Sequence, residues 1–174
     1  MRKLLLSIVA IASIGVISQS VYGQEKPFRV GLKFGSPQIA GLNLEYVTPL
    51  LGKKLSADVD LSYFSFDVRD IKVGYTYFGA GSNYYFFKEG RGLYGGLGYG
   101  LMLFSLSNGV SIATANLSLL NMKIGGKHGG LFYFRWDLGY GVALGDLVLK
   151  FEGEEYKAPA KGGFIGDIGF GFAF

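Results

Sequence analysis

The sequence predicts an all-β fold, an antiparallel up-and-down transmembrane β-barrel of eight strands, on three observations. No apolar stretch after Gly23 approaches the roughly 20 residues of a membrane-spanning helix, so a chain that crosses must use strands that satisfy their own backbone. Apolar residues alternate with small or polar ones at period two along most of the chain. With 29 Gly, 12 Tyr, 15 Phe and only 17% charged residues, where about 25% is usual, there is too little polarity to clothe a soluble domain.

The first residues read as an export signal. Arg2 and Lys3 precede an apolar run from Leu4 to Ile17, and Val21-Tyr22-Gly23 offers small-residue cleavage. Residues 1–23 are therefore expected to be a signal peptide and 24–174 a single barrel domain. Of 17 basic and 13 acidic residues, two of the basic ones belong to this leader, so the remaining balance gives no support to nucleic-acid binding. Cysteine is absent, which excludes disulfides and thiolate metal sites.

Strands follow in order. Phe28, Val30, Leu32 and Phe34 oppose Arg29, Gly31, Lys33 and Gly35. In the second strand Leu42, Leu44 and Tyr46 oppose Gly41, Asn43 and Glu45, and a Pro49 to Lys54 turn leads to the third. There Leu55, Ala57, Val59, Leu61 and Tyr63 face away from Ser56, Asp58, Asp60 and Ser62. After an Asp67 to Lys72 loop the fourth strand, Val73 to Phe87, sets Val73, Tyr75 and Tyr77 on the apolar parity, then blurs at Gly79 and Gly81, where a bulge or twist is expected.

Beyond a Lys88 to Gly92 turn, Leu93, Leu97, Tyr99, Leu101 and Leu103 alternate with Tyr94, Gly96, Gly98, Gly100 and Met102. The sixth strand, Ile112 to Gly125, carries Leu117 and Leu119 on one parity and Leu120, Met122 and Ile124 on the other, which calls for a bulge near Leu120. A Gly125 to Gly130 turn follows. The seventh strand sets Phe132, Phe134, Trp136, Leu138 and Tyr140 against Tyr133, Arg135, Asp137 and Gly139. Asp146 to Gly163, rich in Glu and Lys, reads as the longest loop, and the last strand opposes Phe164, Ile168, Phe170, Phe172 and Phe174 to Ile165, Asp167, Gly169, Gly171 and Ala173.

Alternation alone fits a soluble barrel with its apolar side inward equally well. The composition of the faces favours the membrane form. The polar parity is mostly Gly, Ser, Ala, Thr and Asn, suited to a crowded interior, while aromatics such as Phe28, Tyr46, Tyr63, Tyr75, Phe164 and Phe174 stand near strand ends, where interfacial girdles sit.

The terminal Gly169-Phe170-Gly171-Phe172-Ala173-Phe174 resembles the closing strand of bacterial outer-membrane proteins, and Leu93-Tyr94-Gly95-Gly96-Leu97-Gly98-Tyr99-Gly100 is similar to strands of the small OmpA/OmpX-like barrels. The resemblance implies a bacterial outer-membrane location among lipids and lipopolysaccharide. It also implies delivery by periplasmic chaperones and use of Phe170, Phe172 and Phe174 as part of the signal read by the barrel-assembly machinery. With the amino terminus in the periplasm, as that family has it, the loops near residues 36–39, 67–72, 105–111 and 146–163 would be extracellular.

The inward parity gathers Arg29, Lys33, Glu45, Asp58, Asp60, Arg135, Asp137 and Asp167, charges that a low dielectric admits only when paired or wet. Glu45 and Asp58 fall almost opposite each other, so a cation must lie between them or one must hold a proton. These residues make either a plug of fixed ion pairs or a gated polar path. Catalysis by Asp58, Asp60 or Asp137 lacks a partner, because the single histidine, His128, lies in a turn away from them. No catalytic residue, cofactor or resident metal is expected, although Glu152, Glu154 and Glu155 could meet a hard cation. Three functions stay open: a monomeric structural barrel, a narrow channel for small solutes or small apolar molecules, and a surface interaction protein using the 146–163 loop.

Overall fold

The computed structural model describes residues 26–69, 71–108, 111–151 and 154–174, so the expected signal peptide, 1–23, lies outside the described residues. Ten strands are present: β1 (Phe28–Ser36), β2 (Ile39–Val47), β3 (Leu55–Val68), β4 (Ile71–Tyr85), β5 (Gly92–Ser107), β6 (Ile112–Gly129), β7 (Phe132–Ala143), β8 (Leu147–Phe151), β9 (Glu154–Ala158) and β10 (Gly163–Ala173). Eight of them, β1 to β7 and β10, close into an antiparallel up-and-down barrel through the β5–β6 and β1–β10 pairings. Phe28 and Phe174 exchange backbone hydrogen bonds of 3.1 and 2.8 Å, so the first and last strands meet at what we term the terminal end.

The registers fix the dimensions. Ladder partners followed from Phe28 run through Tyr46, Ala57, Ser82, Leu97, Met122, Tyr140 and Phe164, and the β1–β10 register, continued, returns to β1 at Gln38. A stagger of ten residues over eight strands sets a tilt of about 40° and a backbone radius of about 8 Å. An interior that narrow is filled by the side chains it encloses.

The molecule is inside out relative to a soluble domain. Among the described residues, fourteen polar or charged ones are buried against eight apolar ones, and five of those eight are tyrosines. Outside, large apolar side chains cover the wall, with Leu97 58% exposed and Phe172 57% exposed. Water would charge heavily for such a surface, whereas hydrocarbon accepts it.

Two ladders are more regular than the sequence suggests. β4 pairs without interruption from Ile71 to Tyr85, so there is no bulge at Gly79 and Gly81. Gly79 instead makes room for a ring, because a Cβ there would lie 2.8 Å from the Tyr77 hydroxyl. Tyr75 and Tyr77 are buried in the lumen rather than standing in an outer girdle. β6 likewise pairs continuously with β5 and β7, without a bulge at Leu120. Leu120, Met122 and Ile124 point outward and Leu119 is buried inside. β6 also runs through the expected Gly125 to Gly130 turn, which leaves His128 exposed on a strand opposite Phe134.

The expected loop at 146–163 is largely a β-hairpin. β8 pairs with the start of β6, from Ala113↔Phe151 to Asn116↔Val148, and β9 pairs with β8. Above the closed barrel, at the end away from the termini, β3, β4, β5, β6, β8 and β9 therefore form an open half-barrel. Here the polarity of the wall inverts. One ladder row, Phe66, Val73, Leu106, Ala113 and Phe151, continues the inner face and is apolar. The neighbouring outer row, Ser65, Gly74, Ser105, Thr114 and Lys150, is small or polar.

Candidate functional site in the barrel lumen

Tilted strands of period two send every second side chain inward, and the eight charged residues picked from the sequence all face the lumen, each no more than 11% exposed where it enters an ion pair. Two more cations join them from β6, Lys123 and Lys127. Among the described residues, five cations thus meet five carboxylates in the lumen. Lys127 falls within the expected Gly125 to Gly130 turn, and Lys123 lies between the outward Met122 and Ile124 on a strand whose inner parity the expected bulge left unassigned.

The facing carboxylates Glu45 and Asp58 are ladder partners, and each has its own lysine from β6 across the barrel. Lys127 binds Glu45, which also accepts from the Tyr85 hydroxyl at 2.6 Å and lies 3.5 Å from Arg29 Nη1. Lys123 Nζ reaches Asp58 at 3.2 Å, and Asn83 donates to the other Asp58 oxygen at 3.1 Å. The Lys127 ammonium also sits 5.0 Å from the Tyr133 ring centre and 5.6 Å from that of Tyr85, a cation–π cage that replaces part of its hydration.

A second cluster spans the middle of the barrel. Arg135 donates from Nη2 to Asp137 at 2.9 Å and to the Tyr94 hydroxyl at 2.9 Å, and from Nη1 to Asn43 at 2.8 Å. Tyr94 in turn donates to Asp137, and Asn43 donates to Asp60 at 2.8 Å. Lys33 serves three carboxylates, Asp60 at 3.0 Å, Asp167 at 3.2 Å and Asp137 at 3.6 Å. Asp137 and Asp167 are themselves ladder partners, so this one ammonium offsets a direct carboxylate pair.

Among the described residues a turn folds inward at each end of the lumen. Away from the termini the β1–β2 turn folds inward, with Gln38 donating to Asp167 at 3.3 Å, Ser62 donating to the Gln38 carbonyl and Tyr75 donating to the Pro37 carbonyl. At the terminal end Gly90 is buried at φ +60, where a Cβ would come within 2.6 Å of Arg29 Nη2 and 3.0 Å of Val47. Between them lies a cavity of about 30 Å³ lined by Lys33, Gln38, Asp58, Tyr77, Asn121 and Asp167 among others, room for about two waters. Asn121 Oδ1 and Asp167 Oδ1 have no partner and line this cavity, where water would supply the missing donors.

The architecture is similar to that of a bacterial outer-membrane protein. Superposition on the crystal structure of Acinetobacter baumannii CarO, an outer-membrane β-barrel, gives a TM-score of 0.53 at 10% identity, covering 87% of this chain and 100% of that one. At that identity the likeness is one of fold. No protein-family model and no curated protein matches the sequence.

The other candidates stand apart from the lumen. Phe170 and Phe172 point outward on β10, and Phe34 stacks on Phe170 with centroids 5.8 Å apart, while Phe28 stacks on Phe174 at 6.4 Å. Among the described residues no group of three His, Asp or Glu is placed to hold a metal ion. Glu154 accepts from Tyr156, Glu155 pairs with Lys150 and Lys157 at 3.5 and 3.6 Å, and Glu152 lies outside the described residues.

Proposed function

We propose that the chain is an integral barrel of the bacterial outer membrane, of the small OmpA/OmpX-like kind, that serves envelope structure and does not conduct solutes through its lumen. The observation that carries this reading is the neutral lattice of five cations and five carboxylates, which crosses the lumen between two inward-folded turns. A path for solutes would have to break several buried ion pairs at once, and each break costs about 3 to 5 kcal/mol when it strands a charge. Residues 1–23 direct export, and the barrel-assembly machinery reads the outward aromatics Phe170, Phe172 and Phe174 after periplasmic chaperones deliver the chain. The terminal end then faces the periplasm, and the half-barrel stands in the lipopolysaccharide layer outside.

Planar-bilayer recording tests the closed lumen. The purified monomer in lipid is expected to give no stable unitary conductance. Steps of fixed size that change in Arg135→Ala would establish a channel and overturn the structural reading.

A further inference from the structure

Above the lumen the half-barrel has an apolar inner face. We propose that its inner face binds one small, uncharged apolar molecule. Two ladder rows build that face. The upper joins Phe66, Val73, Leu106 and Phe151, and the lower joins Tyr75, Phe104 and Leu149. Phe66 is 52% exposed, Leu106 47% and Phe151 46%, so neighbouring strands do not cover these groups. The outer row between them, Ser65, Gly74, Ser105, Thr114 and Lys150, is small or polar, which is the arrangement of a water-soluble ligand-binding barrel and not of a membrane wall. Beneath, the buried Tyr75 packs its ring 4.9 Å from that of Phe104 and donates its hydroxyl to the Pro37 carbonyl, so the same side chain floors the apolar cup and seals the polar lumen from it.

Size and charge choose the occupant. Two rows across six strands offer on the order of 400 Å² of concave surface, against the about 800 Å² per partner of a stable protein interface. A wall curving at about 8 Å radius admits one small ligand and no convex protein surface. Along both rows the described side chains are uncharged except Glu154, which lies on the free edge strand β9 and accepts the Tyr156 hydroxyl. A lone rim carboxylate repels anions and leaves neutral apolar ligands the best match.

Saturation-transfer NMR with naphthalene tests this on the full barrel in lipid nanodiscs, with empty nanodiscs as the reference for partition into lipid. A saturable signal above the reference is expected. It should weaken at least tenfold in Phe104→Asp and Phe151→Asp and stay unchanged in Ser105→Asp and Thr114→Asp on the outer row, with folding of each variant checked by gel mobility without heating. Leu149→Asn, on a strand outside the closed barrel, gives the same reading if Phe104→Asp does not fold. Four results would overturn the proposal: no saturable signal, equal losses from outer-row variants, 2-naphthoate binding as tightly as naphthalene, or a dimer that the cup variants dissolve. None depends on whether the lumen conducts.

Discussion

Lys33→Met is the most exacting test of the lumen. The ammonium lies 3.0, 3.2 and 3.6 Å from Asp60, Asp167 and Asp137, and its side chain is 3% exposed. Removing one member of a buried pair costs about 3 to 5 kcal/mol because the partner is left charged and dry. With three carboxylates sharing Lys33 the loss should reach the upper end, about 5 kcal/mol. The three do not depend on it equally. Asp137 keeps Arg135 at 2.9 Å and Asp60 keeps Asn43 at 2.8 Å, whereas Asp167 is left with Gln38 at 3.3 Å. Lys33→Met with Asp167→Asn restores equal numbers of cations and carboxylates and should recover about 2 kcal/mol, within the range of coupling between contacting residues. Lys33→Met with Asp137→Asn should recover less, since it also strips Arg135 of its carboxylate. Urea titrations of the barrel in phospholipid vesicles, followed through Trp136 fluorescence, measure all three. A cost below about 1 kcal/mol for Lys33→Met, or equal recovery by the two double variants, would refute the ion-pair account.

Three further outcomes follow from other parts of the wall. Leu97→Arg, on the outer face, should cost about 2 to 4 kcal/mol in the same titration, while Ser105→Arg, beyond the point where polarity inverts, should cost under about 1 kcal/mol; equal values would remove the membrane band from where we place it. Gly139→Ala would set a Cβ 2.1 Å from the Met122 carbonyl oxygen, whereas Gly163→Ala meets nothing within 4 Å. The first should lose about 1 to 3 kcal/mol by urea titration and the second almost nothing. Deleting Phe174 should lower the amount of folded barrel recovered from cell envelopes severalfold while leaving the extent of refolding into pure vesicles near that of the full chain; a matching loss in vesicles would make the residue structural and not a recognition signal.

The closed eight-stranded barrel was legible because an apolar wall against a filled interior imposes period two on every strand. The first, second, third and last strands show it without interruption, and their charged residues read directly as inward. Lys127 was hidden by Gly125, Gly126, Gly129 and Gly130, which read as a turn, and Lys123 by Leu117 and Leu119, whose apolar character on the inner parity left no consistent inner face to read. Charge could have found them, since Arg29, Lys33 and Arg135 fall two cations short of five inward carboxylates. By hydropathy Tyr75 and Tyr77 read as outward. A tyrosine ring suits lipid by its body and a polar lumen by its hydroxyl, so alternation by hydropathy does not place it. The β8–β9 hairpin was obscured because Lys150, Glu154, Glu155 and Lys157 outweigh the Leu147, Leu149 and Phe151 alternation beside them. The cross-barrel partnerships of β6 with β2 and β3 depend on closure and leave no mark in any one strand.

The adjacency of β1 and β10 makes the ladder a ring, with consequences for how the chain is made and lost. A chain lacking its final strand leaves β1 and β7 as two raw edges, and neither can be satisfied in hydrocarbon. Translation therefore supplies the strand that closes the ring only after the two strands it must join. Once joined, no strand can peel away alone, because lifting any one of the eight opens two hydrogen-bonded seams together. The barrier to unfolding should accordingly be set by breaching the circle and not by the weakest hairpin, which predicts long persistence in the membrane even for variants whose equilibrium stability has fallen.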